Sequence, residues 1–261
     1  MGVVNATPDS FSDGGQFADV AAAVAHGQQL WRDGADILDV GGEATNPRAQ
    51  PVDAETECRR VLPIIEALAT TTDAIISIDT TKADVARRAI AAGARMVNDV
   101  SGGRFDPTML AVVADSDATY VLGHLRGTSL AEVFGHENQA LPSLNDVIAE
   151  LSEQLAKASP ALRARTWVDP GLGVGKGGSV ACNWELLLGS GEIARQVGVP
   201  VLIGASRKRF LRSLVGGAPT VAALDAATVG ACLAAVTAGA HAVRVHNVAL
   251  LHPALTVYTH R

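Results

Sequence analysis

At 261 residues the chain is long enough for one large domain, and its net charge of -6, with a pI near 5.6, supplies no broad basic face for nucleic acid. It is 48% hydrophobic but 4% aromatic, with 26 glycines, so burial falls to aliphatic side chains on parallel strands and Ala-rich helices rather than to a β-sandwich core. Cys58, Cys182 and Cys232 are odd in number and share no metal-type spacing, which argues against a disulfide framework and fits a reducing cytoplasm.

The chain opens on MGVVN with neither a basic region nor a long apolar run, so no secretory signal is read there. It reaches a strand almost at once, and further residues upstream are expected. Period-two and β-branched runs predict eight strands, near 2–5, 37–40, 75–78, 96–98, 120–122, 166–168, 201–203 and 242–245. Apolar residues at helical spacing predict helices over 20–32, 54–68, 82–92, 107–113, 144–158, 183–194 and 224–238, and a last one after Asn247. Three segments share one grammar: DGADILDV at 33–40, AGARMVNDV at 92–100 and AGAHAVRV at 238–245. Each reads as a helix closed by glycine and followed by a short strand. The Ala-rich stretch 221–240 is broken by Asp225 and reads as a buried helix rather than a membrane span. No linker divides the chain, so residues 1–261 are expected to form a single TIM (β/α)8 barrel, an α/β fold. A doubly wound open sheet is the rival, but no dinucleotide fingerprint follows the first strand.

A barrel of this kind builds its site from C-terminal strand ends. Those positions read Asn5, Asp39, Asp79, Asn98, His124, Asp169, Gly204 with Ser206, and Arg244 with His246. Taken singly, each is as readily a polar residue leaving its strand to cap a helix. Lys208 also reads as an exposed helix start, and His246 as a core histidine. Together they sort into two chemistries. Asp79, Asn98 and Asp169 are acceptors suited to the N–H edge of a flat nitrogen heterocycle, whereas Lys208, Arg244 and His246 are donors suited to an anion. The glycine-rich DPGLGVGK at 169–176 lets backbone approach a ligand but lacks P-loop spacing. The turn-rich opening NATPDSFSDGG reads as a mobile lid or an ordinary surface loop.

Eight ordered segments then carry a resemblance that spans the chain: GVVNATPDSFSDGG at 2–15, GADILDVGGEATNP at 34–47, SIDTTKA at 77–83, VNDVSG at 97–102, HLRG at 124–127, DPGLGVGK with Asn183, GASRKRF at 204–210 and RVHNV at 244–248. The sequence resembles the dihydropteroate synthases of the folate pathway, a transferase family and the target of sulfonamides. The resemblance implies condensation of 6-hydroxymethyl-7,8-dihydropterin diphosphate with para-aminobenzoate by a dissociative displacement, assisted by Mg2+, in a cytoplasmic homodimer joined through 224–238 and 248–258. By position, it implies that Asp79, Asn98 and Asp169 bind the pterin, with Gly204 on the substrate wall and Lys208 beside the ring. It places Asn5 at the metal, Arg244 and His246 on the diphosphate, and Phe11, Thr45 and Pro47 around the aminobenzoate. Asp79, Asp169, Lys208, Arg244 and His246 are the implied catalytic set. A pterin-binding paralogue without turnover and a pterin-binding methyltransferase domain are the alternatives. The anion set speaks against the methyltransferase, because a methyl group needs no such partners.

Five positions depart from the family pattern: Asn46 for Arg, Gly123 for a bulky apolar residue, Val174 for an aromatic, Arg209 for a small residue and Asn247 for Asp. They predict a reshaped pterin wall, an altered aminobenzoate entrance and a changed response to sulfonamides, with Arg209 partly replacing the cation lost at Asn46.

Overall fold

The computed structural model describes residues 1–6, 16–45, 51–135 and 140–260. Strands and helices alternate: β1 (Gly2–Asn5), α1 (Gln16–Arg32), β2 (Ile37–Gly41), α2 (Ala54–Thr71), β3 (Ile75–Asp79), α3 (Ala83–Ala91), β4 (Met96–Asp99), α4 (Met109–Ala114) and β5 (Thr119–Gly123). Three helices follow, α5 (Leu130–Gly135), α6 (Leu144–Ala156) and α7 (Pro160–Arg163), before β6 (Thr166–Asp169), α8 (Val180–Leu188), α9 (Ser190–Val197) and β7 (Leu202–Ile203). The chain ends on α10 (Arg209–Val215), α11 (Val221–Thr237), β8 (Ala242–Val243) and α12 (Val248–Thr259). The repeated Ala-Gly grammar marks helix exits as expected, with Gly34, Gly93 and Gly239 at φ of 101, 114 and 98°.

β1 to β6 pair in parallel and in chain order, and β7 pairs with β8. Single bridges, Val168 to Val201 and Gly2 to Val245, join the two sheets at both edges and close the eight-stranded barrel. Both faces of the strands are covered. Outward-facing Leu38, Val40, Ile76, Ile78, Val97 and Leu122 belong to the core shared with the helices. Inside, Ile37, Met96, Val121 and Leu202 form an apolar plug at the N-terminal end. Two residues further along β2 and β4 the interior turns polar, with Asp39 and Asn98 buried above that plug. Two more residues bring the walls of the C-terminal mouth.

Local signals explain most helix starts. Asp53 caps α2, Ser143 and Asp146 form a capping box on α6, and Thr220 caps α11. The helix predicted over 183–194 is instead two, α8 and α9, broken at Gly189. Leu144 packs where a Gly189 Cβ would lie, and the Gly191 N–H donates to Ala238 O at 2.6 Å. α5, α7 and α10 are short helices within segments read as loops; at α7 the Ser159 Oγ accepts from Leu162 N at 3.3 Å.

Candidate active site

A cavity of about 460 Å3 opens at the C-terminal mouth of the barrel. Asp79, Asn98 and Asp169 line it together with Lys208, Arg244 and His246, so the acceptor set and the donor set share one chamber. Asn5, Thr45 and Gly204 also line it. Phe11, Asn46 and Pro47 lie outside the described residues.

The floor is an ionic lattice. Arg244 Nε donates to Asp39 Oδ2 at 2.6 Å and its Nη2 to Asp79 Oδ2 at 2.7 Å. The Asn98 amide donates to the same Asp39 oxygen at 3.0 Å, which leaves the Asn98 Oδ1 as an acceptor. Although burial opposes its charge, Asp39 and Asp79 hold the Arg244 pKa above its ordinary value. Burial lifts Asp79 to about 7, with Arg244 pulling the other way. Burial also raises Asp169, whose Oδ1 accepts from Gly171 N at 2.7 Å. Asp39 is wholly buried and does not reach the cavity; because β2 continues to Gly41, it lies one layer below the rim expected from sequence.

The anion side is built on the turn after β7. Arg207 is the one non-glycine with positive φ among the described residues, at 57°. A bidentate pair with Asp225 of α11, at 2.7 and 2.9 Å, holds it there. The Ser206 Oγ lies 2.9 Å from His246 Nδ1 and accepts from His246 N at 3.2 Å. Burial, reinforced by Arg207 and Arg244, lowers His246 to about 4, so the ring that lines the chamber is neutral. The Lys208 stem crosses Gly173, where an added Cβ would fall 3.0 Å from Lys208 Cδ. Burial lowers its pKa, and among the described residues no carboxylate is within ion-pairing distance of its ammonium.

Sequence reasoning missed two supports. Glu43 lines the cavity, bonds Lys82 and accepts from Val52 N at 3.3 Å, tying together residues on either side of 46–50. Lys82 also pairs with buried Glu57 at 2.7 Å. The second support is a chain behind the glycine-rich segment. Buried Lys176 reaches His124 Nδ1 at 3.0 Å, and His124 Nε2 meets Glu150 Oε2 at 2.9 Å. Arg126 closes the chain on Glu150 Oε1 at 2.6 Å.

Four of the five departures are described. A Cβ on Gly123 would fall 2.6 Å from Val100 Cα and O, so the missing side chain is replaced by Val100 backbone. Val174 lines the cavity and packs with Leu125 and Val133, against Val100 and Phe105. Arg209 is exposed on α10, and its guanidinium passes Gly177, where an added Cβ would fall 3.0 Å from Nη2. Asn247 caps α12 through Leu250 N at 3.1 Å while its amide donates to Asp225 Oδ2 at 3.0 Å.

Residues 1–246 match the family described as pterin binding enzyme. A dihydropteroate synthase of Mycobacterium leprae is 43% identical, over 98% of this chain and 91% of that one. The dihydropteroate synthase of Xanthomonas albilineans in complex with 7,8-dihydropteroate superposes with a TM-score of 0.83 at 42% identity, covering 98% of this chain and 90% of that one. The Yersinia pestis dihydropteroate synthase with a sulfonamide drug complex superposes with a TM-score of 0.86 at 30% identity, covering 98% and 91%.

Proposed function

The chain belongs to the pterin-binding enzyme family, and from that premise we propose that it is a dihydropteroate synthase. It joins 6-hydroxymethyl-7,8-dihydropterin diphosphate to para-aminobenzoate, releasing diphosphate and 7,8-dihydropteroate. The observation that carries this reading is the single chamber lined on one part by Asp79, Asn98 and Asp169 and on another by Lys208, Arg244 and His246.

In this reading Asp79, Asp169 and the Asn98 carbonyl accept from the N–H edge of the pterin, with Gly204 giving the ring room and Lys208 lying beside it. The bond between the exocyclic methylene and the diphosphate oxygen breaks with its electron pair on oxygen. Positive charge spreads from the methylene into the ring, favoured by the carboxylates around it. Arg244, already charged, and neutral His246 donate to the departing anion. The arylamine nitrogen then bonds the methylene and loses its proton, with no strong base required because the amine is neutral beforehand. Phe11, Thr45 and Pro47 bound the aminobenzoate and exclude water that would capture the cation.

Mg2+ belongs to the proposal as an ion bound together with the diphosphate. Among the described residues no cluster of three or more His, Cys, Asp or Glu exists, and Asn5 offers one hard oxygen at the cavity wall. The ion would reduce the charge on the leaving diphosphate. A cytoplasmic homodimer through α11 and α12 is part of the same reading. Its supports are exposed apolar Val221, Leu250 and Val257 on those helices, and three buried free cysteines. The acidic balance speaks for small-molecule partners and against nucleic acid, and no described helix is long and apolar enough to cross a membrane.

The test is diphosphate release from the dihydropterin diphosphate, with and without para-aminobenzoate, alongside dihydropteroate detection. Release that depends on aminobenzoate and yields dihydropteroate is expected. Pterin binding without release would leave a non-catalytic paralogue.

A further inference from the structure

We propose that Lys176 and His124 are positioning residues that set the pterin end of the chamber by holding the glycine-rich segment after β6 against the end of β5. The inference rests on the dihydropteroate synthase reading. Asp169, Gly171, Leu172 and Val174 all line the chamber, so this one segment supplies much of its wall. Its grip on β5 is local. Lys176 Nζ donates to His124 O at 3.1 Å and to Val174 O at 3.3 Å, and meets His124 Nδ1 at 3.0 Å. Three N–H groups thus find three acceptors, which requires a bare Nδ1 and places the ring proton on Nε2, facing Glu150. The segment lies so close to β5 that a Cβ on Gly171, at φ 72°, would fall 2.0 Å from His124 O. His124 N in turn donates to Asp169 O at 2.9 Å, which fixes the backbone that carries the pterin acceptor.

A buried ammonium is a poor choice for stability, since an apolar side chain of similar size commonly serves as well or better. What it supplies here is direction. Val174 O and His124 O are drawn to one point, so the Val174 side chain stays on the chamber wall. The groups facing Lys176 are His124 just after β5, Glu150 from α6, Asp169 from β6, Cys182 from α8 and Lys208 after β7, the last repelling it. Burial lowers its pKa to about 7 against the pull of Asp169.

The test uses Lys176→Met and Glu150→Gln in the full chain, with wild-type turnover measured first. Absence of dihydropteroate formation by wild type would remove the functional reading, whereas the variants judge the positioning. Lys176→Met is expected to raise KM for the pterin substrate roughly tenfold, leave KM for para-aminobenzoate within about twofold and keep the melting temperature. Glu150→Gln removes the anion that supports the Lys176 charge through His124. It is expected to move the alkaline fall of kcat/KM for the pterin to lower pH, and it decides alone if Lys176→Met does not fold. An unchanged pterin KM in folded Lys176→Met, an equal rise in both KM values, or an unmoved pH profile in Glu150→Gln overturns the proposal.

Discussion

Asp39 lies directly beneath Arg244, its Oδ2 2.6 Å from the guanidinium Nε, and it never touches the chamber that Arg244 serves. The same oxygen also accepts from the Asn98 amide, so one hidden carboxylate orients a cation and an amide that both line the chamber. Asp39→Ala should therefore cost about 3 kcal/mol in urea unfolding, because it strands a buried charge. It should also lower kcat/KM for the pterin substrate by roughly a hundredfold through misplacement of both groups. Wild-type kcat/KM in the variant would contradict this role.

Asp79 supplies a pH signature. Burial raises its pKa to about 7, and the protonated form cannot accept from the pterin with both oxygens. Below that value the acceptor is neutral and above it ionised, so kcat/KM for the pterin should rise with an acid limb near 7. His246, lowered to about 4 by burial, stays neutral across that range and adds no limb of its own. Asp79→Asn should remove the limb along with most of the activity. A limb that survives in Asp79→Asn belongs to another group.

Gly123 should refuse any side chain. An alanine Cβ there would lie 2.6 Å from Val100 backbone, forcing the turn after β4 to retreat. Gly123→Ala is expected to lose about 1–3 kcal/mol in urea unfolding, as over-packed sites do, and to raise KM for the pterin. A variant of wild-type stability would show that the turn yields freely.

Asn247 can be neither apolar nor acidic without loss. Its amide donates to Asp225, the carboxylate that holds Arg207 in its left-handed conformation. Asn247→Asp preserves the cap on α12 but sets two carboxylates against one guanidinium. At pH 8 it should lower unfolding stability by about 1–2 kcal/mol, the cost of a buried bond lost to repulsion. The deficit should shrink as pH falls far enough to protonate one carboxylate. Equal deficits at pH 8 and pH 4 would argue for a purely steric cause.

All eight strands were legible in the sequence, yet most were read one residue too short at the C-terminal end. Hydropathy fails where a strand's last residue is polar. Asp79 and Asp169 still pair with their neighbours while their side chains face the mouth, so the polar end is strand and site at once. The acceptor and donor sets were legible because strand ends of a barrel converge. Asp39 was misplaced because β2 runs on to Gly41. Glu43 and Lys176 were missed because their partners, Lys82 and His124, are distant in sequence, and burial of an ammonium leaves no pattern in hydropathy. The break at Gly189 depends on Ala238 and Leu144, which no local signal announces.

The seam at Val168 to Val201 is a single bridge wide, and the one at Gly2 to Val245 rests on Val3 N to Val245 O, Val245 N to Met1 O and the Met1 amino group to Val243 O, so the short pair β7 and β8 hangs between two narrow joints. β8 leads directly into Arg244 and His246, the groups assigned to the departing anion, and β7 leads into Gly204 and the Lys208 turn. The ring-binding arc is stitched by continuous ladders instead. Local opening follows the fewest protected amides, and deuterium should enter at 201–203 and 242–245 before it enters β2 to β5. The barrel would thus loosen first where its charged product must leave, while the pterin floor keeps its shape for the next turnover.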